Sequence, residues 1–327
     1  MEFSKKNNTI FSCLSPKEKE DIIKDIKSTY ISLRYSLGLP KDATFGLEVE
    51  YDDLSQEEVN AFVDSITPLW YPTPETSLPK GGEVTSPVLT DKFSNWLELK
   101  NLCSFLRIAG ATTSESVGSH IHVGVANTLG SNTLAWLNFI KKWIIYEGII
   151  YRFTNGESVT TRSCYISHCY PIALELYDML LNAEGEINLD RLNRIIPMER
   201  FQAINFRNVK WHSLNNNKEF NTLELRTPNG TFEEAIWQNN VNFFVRFLLS
   251  CTKEQDEEYI KYALNKISNL YNYGNYYKMD IDKAFKLVDD IFTNELDKVY
   301  FLRQYIKDGE EIKEDGLVRT KSFVNEK

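Results

Sequence analysis

Alternating apolar and polar residues predict short β-strands scattered between helices. The segments ATFGLEVEY, SHIHVGV and TLELRTP alternate leucine, isoleucine or valine with charged or imidazole side chains, and RFQAINFRNV is a further predicted strand. The segment WYPTPETSLPKGGEVTSPVL contains four prolines and a Gly-Gly pair, so it predicts two strand pieces joined by a turn. Because the strands are irregularly spaced, the pattern favours an α+β fold over a doubly wound parallel sheet.

Apolar residues three and four positions apart predict the helices, and capping residues predict their ends. The first helix opens with Ser15 as N-cap and Pro16 at its first position, and it is expected to close at Gly38 and Pro40. The last stretch, EEIKEDGLVRTKSFVNEK, is polar and is expected to fray. The other predicted helices are a short one with a Ser55/Glu58 capping box, one from about Asp91 to Gly110, one from about Ser131 to Phe153, two in the irregular middle, and a mostly helical region from the N-cap Thr231 to about Lys307.

Composition narrows the class of protein. The 327 residues are 42% hydrophobic and 25% charged, which is typical of a globular protein with a substantial core. The net charge of -9 disfavours a nucleic-acid partner. Without a signal-peptide pattern or an apolar stretch of about 20 residues, we expect a cytoplasmic protein with no membrane segment. The five cysteines form no CxxC pair, so we expect reduced, mostly buried thiols.

Charged side chains occupy one face of each of three predicted strands. Residues two apart on a strand point the same way, so Glu48 pairs with Glu50, His120 with His122, and Glu224 with Arg226. Glu83, in GGEVTSP, adds a fourth carboxylate. If these strands are neighbours, the carboxylates repel one another unless cations lie between them. Oxygen-rich ligands with imidazoles favour Mg²⁺ or Mn²⁺ over zinc, and Mg²⁺ in turn suggests a phosphate-bearing substrate.

The series FGLEVEY, ETSLPKGGEVTSPVL, GSHIHVGV, RFQAINFRN and TLELRTPNGT resembles the amidoligase family, which is similar to glutamate-cysteine ligases and, more remotely, to glutamine synthetases. The matching motifs span about residues 44 to 250. The resemblance implies a glutamine synthetase-like fold, in which helices flank a curved, mostly antiparallel sheet that forms an open funnel. It divides the chain into an N-terminal helical segment (1–42), a catalytic domain (43–250) and a helical C-terminal region (251–327) packed on that domain.

The resemblance also implies ATP and two or three Mg²⁺ or Mn²⁺ ions inside the funnel. Glu48 would share one ion with His120 and Glu224, while Glu50 and Glu83 would hold the other. His122 would lie near the nucleotide phosphates. Arg226 would stabilise the transferring phosphoryl group through its planar donors. The catalytic candidates on this basis are Arg226, Arg162 and Glu83.

Three further positions have less definite roles under the resemblance. Arg162 and Arg207 are candidates to hold phosphate or a substrate carboxylate, against the alternative of surface ion pairs. Asn205 is a candidate nucleotide contact in the same strand as Arg207. Related sequences often carry Asp-Gly-Ser where this chain has Glu75, Thr76 and Ser77, so a polar role for Glu75 is left open. His168 and His212 have no partner at ligand spacing and are expected to be structural or exposed.

The implied activity is an ATP-dependent carboxylate-amine ligase that forms an amide or isopeptide bond through an acyl phosphate. Its substrates would be a small-molecule or peptide carboxylate and an amine. Two alternatives stay open, a binuclear metal-dependent hydrolase and a non-catalytic nucleotide-binding protein with the same fold. A requirement for ATP separates the ligase from the hydrolase.

Overall fold

An open, six-stranded antiparallel sheet lies at the centre of the computed structural model, which describes residues 9–66, 69–114, 116–158, 168–216, 220–267, 279–307, 311–312, 318–320 and 322–325. The strand order is β2-β3-β1-β4-β6-β5, and every neighbouring pair is antiparallel. A separate pair, β7 and β8, lies near the end of the chain. The strands are β1 (Phe45–Tyr51), β2 (Tyr71–Thr73), β3 (Gly82–Thr85), β4 (Ser119–Gly124), β5 (Ile204–Asn205), β6 (Thr222–Leu225), β7 (Glu311–Ile312) and β8 (Val318–Arg319).

Ten α-helices within the described residues flank this sheet, so the predicted α+β class is confirmed. Helix α7 packs against strand β4 and against helices α3 and α4, while α10 packs against α1, α4 and α7. Short 3-10 helices cover Phe11–Cys13 and Trp211–Ser213. The α-helices are α1 (Pro16–Lys27), α2 (Gln56–Ile66), α3 (Phe93–Ile108), α4 (Thr133–Thr154), α5 (Ala173–Asn182), α6 (Leu189–Ile195), α7 (Glu234–Ser250), α8 (Glu257–Asn265), α9 (Ile281–Ile291) and α10 (Glu295–Tyr305).

Local sequence signals account for the starts of several elements. The Ser15 side chain and Glu18 form the capping box that opens α1, with Pro16 at its first position. Ser55 and Glu58 are hydrogen-bonded ahead of α2, as predicted. In the turn before β3, a side chain at Gly81 would place its Cβ 1.9 Å from the Tyr51 carbonyl oxygen, so the backbones can meet there because glycine has no side chain.

The prediction that the first helix runs to Gly38 is wrong, because α1 ends at Lys27. Tertiary contacts use the residues that follow. Ile31 forms a parallel bridge with Val324, and the Arg34 guanidinium forms a buried ion pair with Asp297. These partners lie about 260 to 290 residues away along the chain, so no local pattern indicates them.

Two other local predictions need correction. The expected long strand RFQAINFRNV is reduced to Ile204–Asn205, because the chain turns directly afterwards, where the Asn205 side chain accepts a hydrogen bond from the Arg207 backbone N–H. Thr231 is not the N-cap of α7. The helix begins at Glu234, and the Thr231 hydroxyl accepts a hydrogen bond from the Glu233 backbone N–H.

The expected fraying of the last stretch is also wrong for its described part. Phe323 and Val324 are buried beside Ile31, Ile236 and Tyr300 in a small second core. Burial of these two apolar side chains stabilises the segment in the fold, although most of the residues around it in the sequence are polar.

Two expectations drawn from composition are tested by the structure. The described cysteines, Cys13, Cys103, Cys169 and Cys251, are free thiols, and all but Cys13 are buried. None of the described helices combines the length and apolar character needed to cross a bilayer.

Candidate functional site

The strand register brings the predicted charged residues onto one face of the sheet. Glu48 on β1 lies opposite His120 on β4, and Glu50 lies opposite Glu83 on β3. His122 lies opposite Glu224, which in turn lies opposite Asn205. Directly opposed residues of antiparallel strands project from the same face. The reverse face belongs to the core and carries the buried side chains of Leu47, Val49, Ile121, Val123, Leu223 and Leu225.

Glu48 is the centre of the polar face. One of its oxygens is 2.8 Å from His120 Nδ1, and the other is 2.6 Å from His122 Nε2. Burial opposes ionisation of this carboxyl, but the two imidazoles more than offset it and hold the pKa of Glu48 below its usual value. Although burial disfavours the imidazolium forms, the nearby carboxylates raise the pKa of both histidines. Glu48 is therefore an anion held between two imidazoles.

Glu224 is held by groups on both sides. The Asn205 side-chain amide donates to Glu224 Oε2 at 2.6 Å, and the Arg226 guanidinium donates to Glu224 Oε1. Arg226 Nε also donates to the His168 carbonyl oxygen at 3.2 Å, which ties the guanidinium to the segment before α5. Arg226 is buried, and these contacts orient its planar donors at the site.

The other two carboxylates lie towards β3. Glu50 accepts a hydrogen bond from the Gly118 backbone N–H and lies 3.5 Å from His120 Nε2. Glu83 accepts a hydrogen bond from the Thr85 hydroxyl at 2.8 Å. Burial, together with the charge of Glu48, raises the pKa of Glu83 to about 7. A proton or a cation is therefore needed to relieve repulsion among the carboxylates at neutral pH.

Two groups of three side chains bring metal-ligating atoms close together, and they share Glu48. One consists of Glu48, Glu83 and His120, the other of Glu48, His122 and Glu224. Within each group the ligand atoms lie within 4.8 Å of one another. Two carboxylates and an imidazole suit Mg²⁺ or Mn²⁺. The donor set therefore fits divalent cations. It contains four of the five predicted metal ligands and also His122, whereas Glu50 belongs to neither group.

Two cavities meet at Glu48. The smaller, of about 330 Å³, contains the carboxylates, His120 and Arg226, and its outer part is lined by Glu75, Arg200 and Phe201. The larger, of about 660 Å³, extends past His122 to the other end of β1. Its walls combine amide and apolar side chains, among them Asn208, Asn221, Phe220 and Val88. The face thus offers a charged chamber on one side and a roomier, less polar chamber on the other.

A family model described as "Putative amidoligase enzyme" matches residues 71–248, more than half of the chain. The protein belongs to this amidoligase family. No curated protein matches the chain in sequence. Strand β1, with Glu48 and Glu50, precedes the matched residues, yet it pairs with β3 and β4 inside them. The metal-binding candidates of this amidoligase therefore come from both parts of the chain.

Not every predicted site residue of the amidoligase joins the cluster. Glu48, Glu50, Glu83, His120, His122, Asn205, Glu224 and Arg226 lie together on the sheet face. The Arg207 side chain is exposed, and it is not among the described residues that line either cavity. Arg162 lies outside the described residues.

Several residues that line the smaller cavity of the amidoligase were not predicted from the sequence. Ser116 comes from a loop, where no periodicity marks a functional position. Arg200 and Phe201 open the predicted strand RFQAINFRNV, but in the structure they lie in the loop before β5. His168 was expected to be structural or exposed. Its backbone holds Arg226, but its half-buried imidazole also lines the smaller cavity and meets the Phe201 ring edge-on at 5.2 Å. His212 is exposed, as expected.

Proposed function

We propose that this amidoligase is an ATP-dependent, divalent-metal-dependent ligase that joins a carboxylate to an amine through an acyl phosphate. The observation that carries the proposal is the pair of donor groups sharing Glu48, with Arg226 beside them. The sheet topology and the family support a glutamine synthetase-like fold for the domain that holds the site.

Glu48, Glu83 and His120 would hold one Mg²⁺ or Mn²⁺ ion, and Glu48, His122 and Glu224 a second. Glu50, 3.5 Å from His120 Nε2, is positioned to complete the first group or to help hold a third ion. When bound, such ions neutralise the charge of the ATP phosphates and make the γ-phosphorus more electrophilic. The Asn205 amide and the Gly118 N–H would orient Glu224 and Glu50 as ligands.

The larger cavity is the proposed site of the nucleoside. Its volume of about 660 Å³ and its mixture of apolar and amide side chains suit a purine and a ribose. Phe220 and Val88 are exposed at this cavity, where Phe220 offers a flat ring and Val88 a further apolar contact to a base. Because the cavity leads to His122 and Glu48, a nucleotide bound there would direct its phosphates towards the carboxylate cluster.

The smaller cavity is the proposed site of the acyl donor. A substrate carboxylate oxygen attacks the γ-phosphorus in line, the bond to the β-phosphate oxygen breaks, and ADP leaves. The Arg226 guanidinium faces this cavity, where it would stabilise charge on the transferring phosphoryl group. The amine nitrogen then attacks the acyl carbon, and phosphate departs with the electrons of the broken C–O bond.

The proposal is tested by following ADP release with ATP, Mg²⁺ and the twenty L-amino acids, which supply both carboxylates and amines. Mass spectrometry identifies any amide product. ADP and amide formed in matched amounts, and only when ATP, metal and amino acids are all present, would support the ligase. Hydrolysis of dipeptides or amides without ATP would replace it with the metal hydrolase. ATP binding with no turnover across amine and carboxylate pools, including peptides, would favour a non-catalytic role.

A further inference from the structure

The outer part of the smaller cavity carries one anionic and one cationic side chain that belong to neither donor group. Glu75 lies on the turn between β2 and β3, and Arg200 lies in the loop before β5. The charge of Arg200 acts on Glu75 across the cavity, yet no ion pair joins these two described residues. A gap between opposite charges at the opening of a cavity is suited to a ligand that carries both charges.

The turn holds Glu75 as an anion. Its Oε1 accepts hydrogen bonds from the Ser77 backbone N–H at 3.0 Å and from the Ser77 hydroxyl at 2.9 Å. Burial opposes ionisation, but these hydrogen bonds, aided by Arg200, hold the pKa of Glu75 below its usual value. The second carboxylate oxygen accepts no hydrogen bond from the described residues, so it is available to a ligand.

Arg200 lies over an aromatic ring, and its donors are free among the described residues. Its guanidinium carbon lies 5.6 Å from the centre of the Phe201 ring, and that of Arg226 lies 6.0 Å from the same ring. Arg200 makes no hydrogen bond or ion pair with any described residue. The exposed Arg200 guanidinium thus lies over the Phe201 ring beside the cavity, and its N–H groups are unused among the described residues.

We propose that Glu75 and Arg200 select the amine substrate, which is a zwitterionic amino acid or a short peptide. Glu75 binds its ammonium group and Arg200 binds its carboxylate. The inference rests on the proposed ligase function and deepens it. The acyl donor needs its reacting carboxylate beside Arg226 and the metal-ligand cluster, deeper in the cavity. The amine arrives afterwards through the opening, where these two side chains lie.

The second half-reaction balances with this arrangement. The ammonium form bound at Glu75 gives up two protons as its nitrogen bonds to the acyl carbon and the bond from that carbon to the phosphate oxygen breaks. One proton leaves on the phosphate, and the other passes to solvent. Glu75 concentrates and orients the amine, and no covalent step passes through it.

Hydroxylamine allows activation of the acyl donor to be measured separately from binding of the amine substrate. It is uncharged at neutral pH and traps an acyl phosphate as a hydroxamate, so it needs neither Glu75 nor Arg200. The parent, Glu75→Gln, Arg200→Gln and the control Arg194→Gln would be assayed with ATP, Mg²⁺ and the twenty L-amino acids as acyl donors. Arg194 is exposed in the last turn of α6 and does not line the cavity. The acceptors, each in excess over the donors, would be hydroxylamine, isotopically labelled free amino acids, or the C-terminal amides of amino acids, and mass spectrometry would identify the product of each.

We expect all four proteins to form hydroxamate at similar rates. Because hydrogen bonds between charged groups contribute more than those between neutral groups, Glu75→Gln should lower kcat/KM about tenfold or more for free amino acids and for their amides. Arg200→Gln should do so for free amino acids only, since the amides lack the carboxylate that it binds. Arg194→Gln should match the parent with every acceptor.

Other outcomes overturn the inference in distinguishable ways. If the Glu75 and Arg200 variants lose hydroxamate formation as well, the two side chains bind the acyl donor instead. If both variants match Arg194→Gln with every acceptor, they do not select the amine. If the parent forms neither hydroxamate nor ADP, it is the proposed ligase function that fails.

Discussion

Replacing Glu83 with glutamine should stabilise the metal-free protein at high pH and leave it almost unchanged at low pH. Burial and the charge of Glu48 raise the pKa of Glu83 from 4.5 to about 7. The Glu83→Gln side chain keeps an oxygen to accept the Thr85 hydroxyl hydrogen bond but carries no charge. The substitution thus isolates the repulsion among the carboxylates.

The magnitude follows from linkage. Between pH 4.5 and about 7 the folded parent binds a proton at Glu83 that the unfolded chain has lost, so its stability falls as the pH rises through this window. At about 1.4 kcal/mol per pKa unit the loss amounts to about 3 kcal/mol by pH 8. The variant avoids this loss. We therefore expect its advantage to grow from near zero at about pH 4.5 to about 3 kcal/mol at pH 8.

Urea unfolding with a chelator present, at pH 4.5, 6 and 8, measures this difference, with Glu199→Gln as a control because Glu199 is exposed and outside the cluster. Adding Mn²⁺ at pH 8 should offset most of the variant's advantage. The parent then gains about 2.7 kcal/mol when the metal is at a hundred times its Kd, and the variant gains less. A stability difference independent of pH, or no gain in the variant at pH 8, would refute the electrostatic reasoning.

Three further predictions concern the same face of the sheet. Glu224→Gln should abolish ATP turnover and weaken Mn²⁺ binding while the far-UV circular dichroism stays native, because a metal ligand is lost but the core face of the sheet is unchanged. Normal turnover would remove Glu224 from the site. Arg226→Lys should lower kcat for ADP release roughly a hundredfold with a smaller change in ATP affinity, and an unchanged kcat would rule out its phosphoryl role. Mn²⁺ binding should tighten from pH 6 to 8 and release protons, because the raised pKa values of His120 and His122 mean that metal displaces their protons. Titration calorimetry in buffers of different ionisation enthalpy measures the proton release. In His120→Ala or His122→Ala both the affinity for Mn²⁺ and the proton release should fall.

The strand faces were predictable because their pattern is local. Side chains alternate along any β-strand, so the sequence alone paired Glu48 with Glu50 and separated them from Leu47 and Val49. The α+β class and several helix starts followed from similar short-range signals, as the capping box at Ser15 illustrates. The family resemblance added which strands belong together.

The partners of each charged residue were not predictable in the same way. The motifs suggested that Glu48 acts with His120 and Glu224, whereas the register also puts His122 within 2.6 Å of Glu48 and groups Glu83 with His120. Register depends on how whole strands pack against a shared core, and a shift of one residue would move every side chain to the other face.

Contacts between distant segments are the feature that the local sequence pattern predicts least. Helix α1 ends at Lys27 because Ile31 and Arg34 find partners near the other end of the chain. Glu75 and Arg200 face the same cavity from loops more than a hundred residues apart. Periodicity and capping determine which residues form a strand or helix and which face is polar. The free energy of packing the complete chain decides which loops close over that face, and so which substrates it can take.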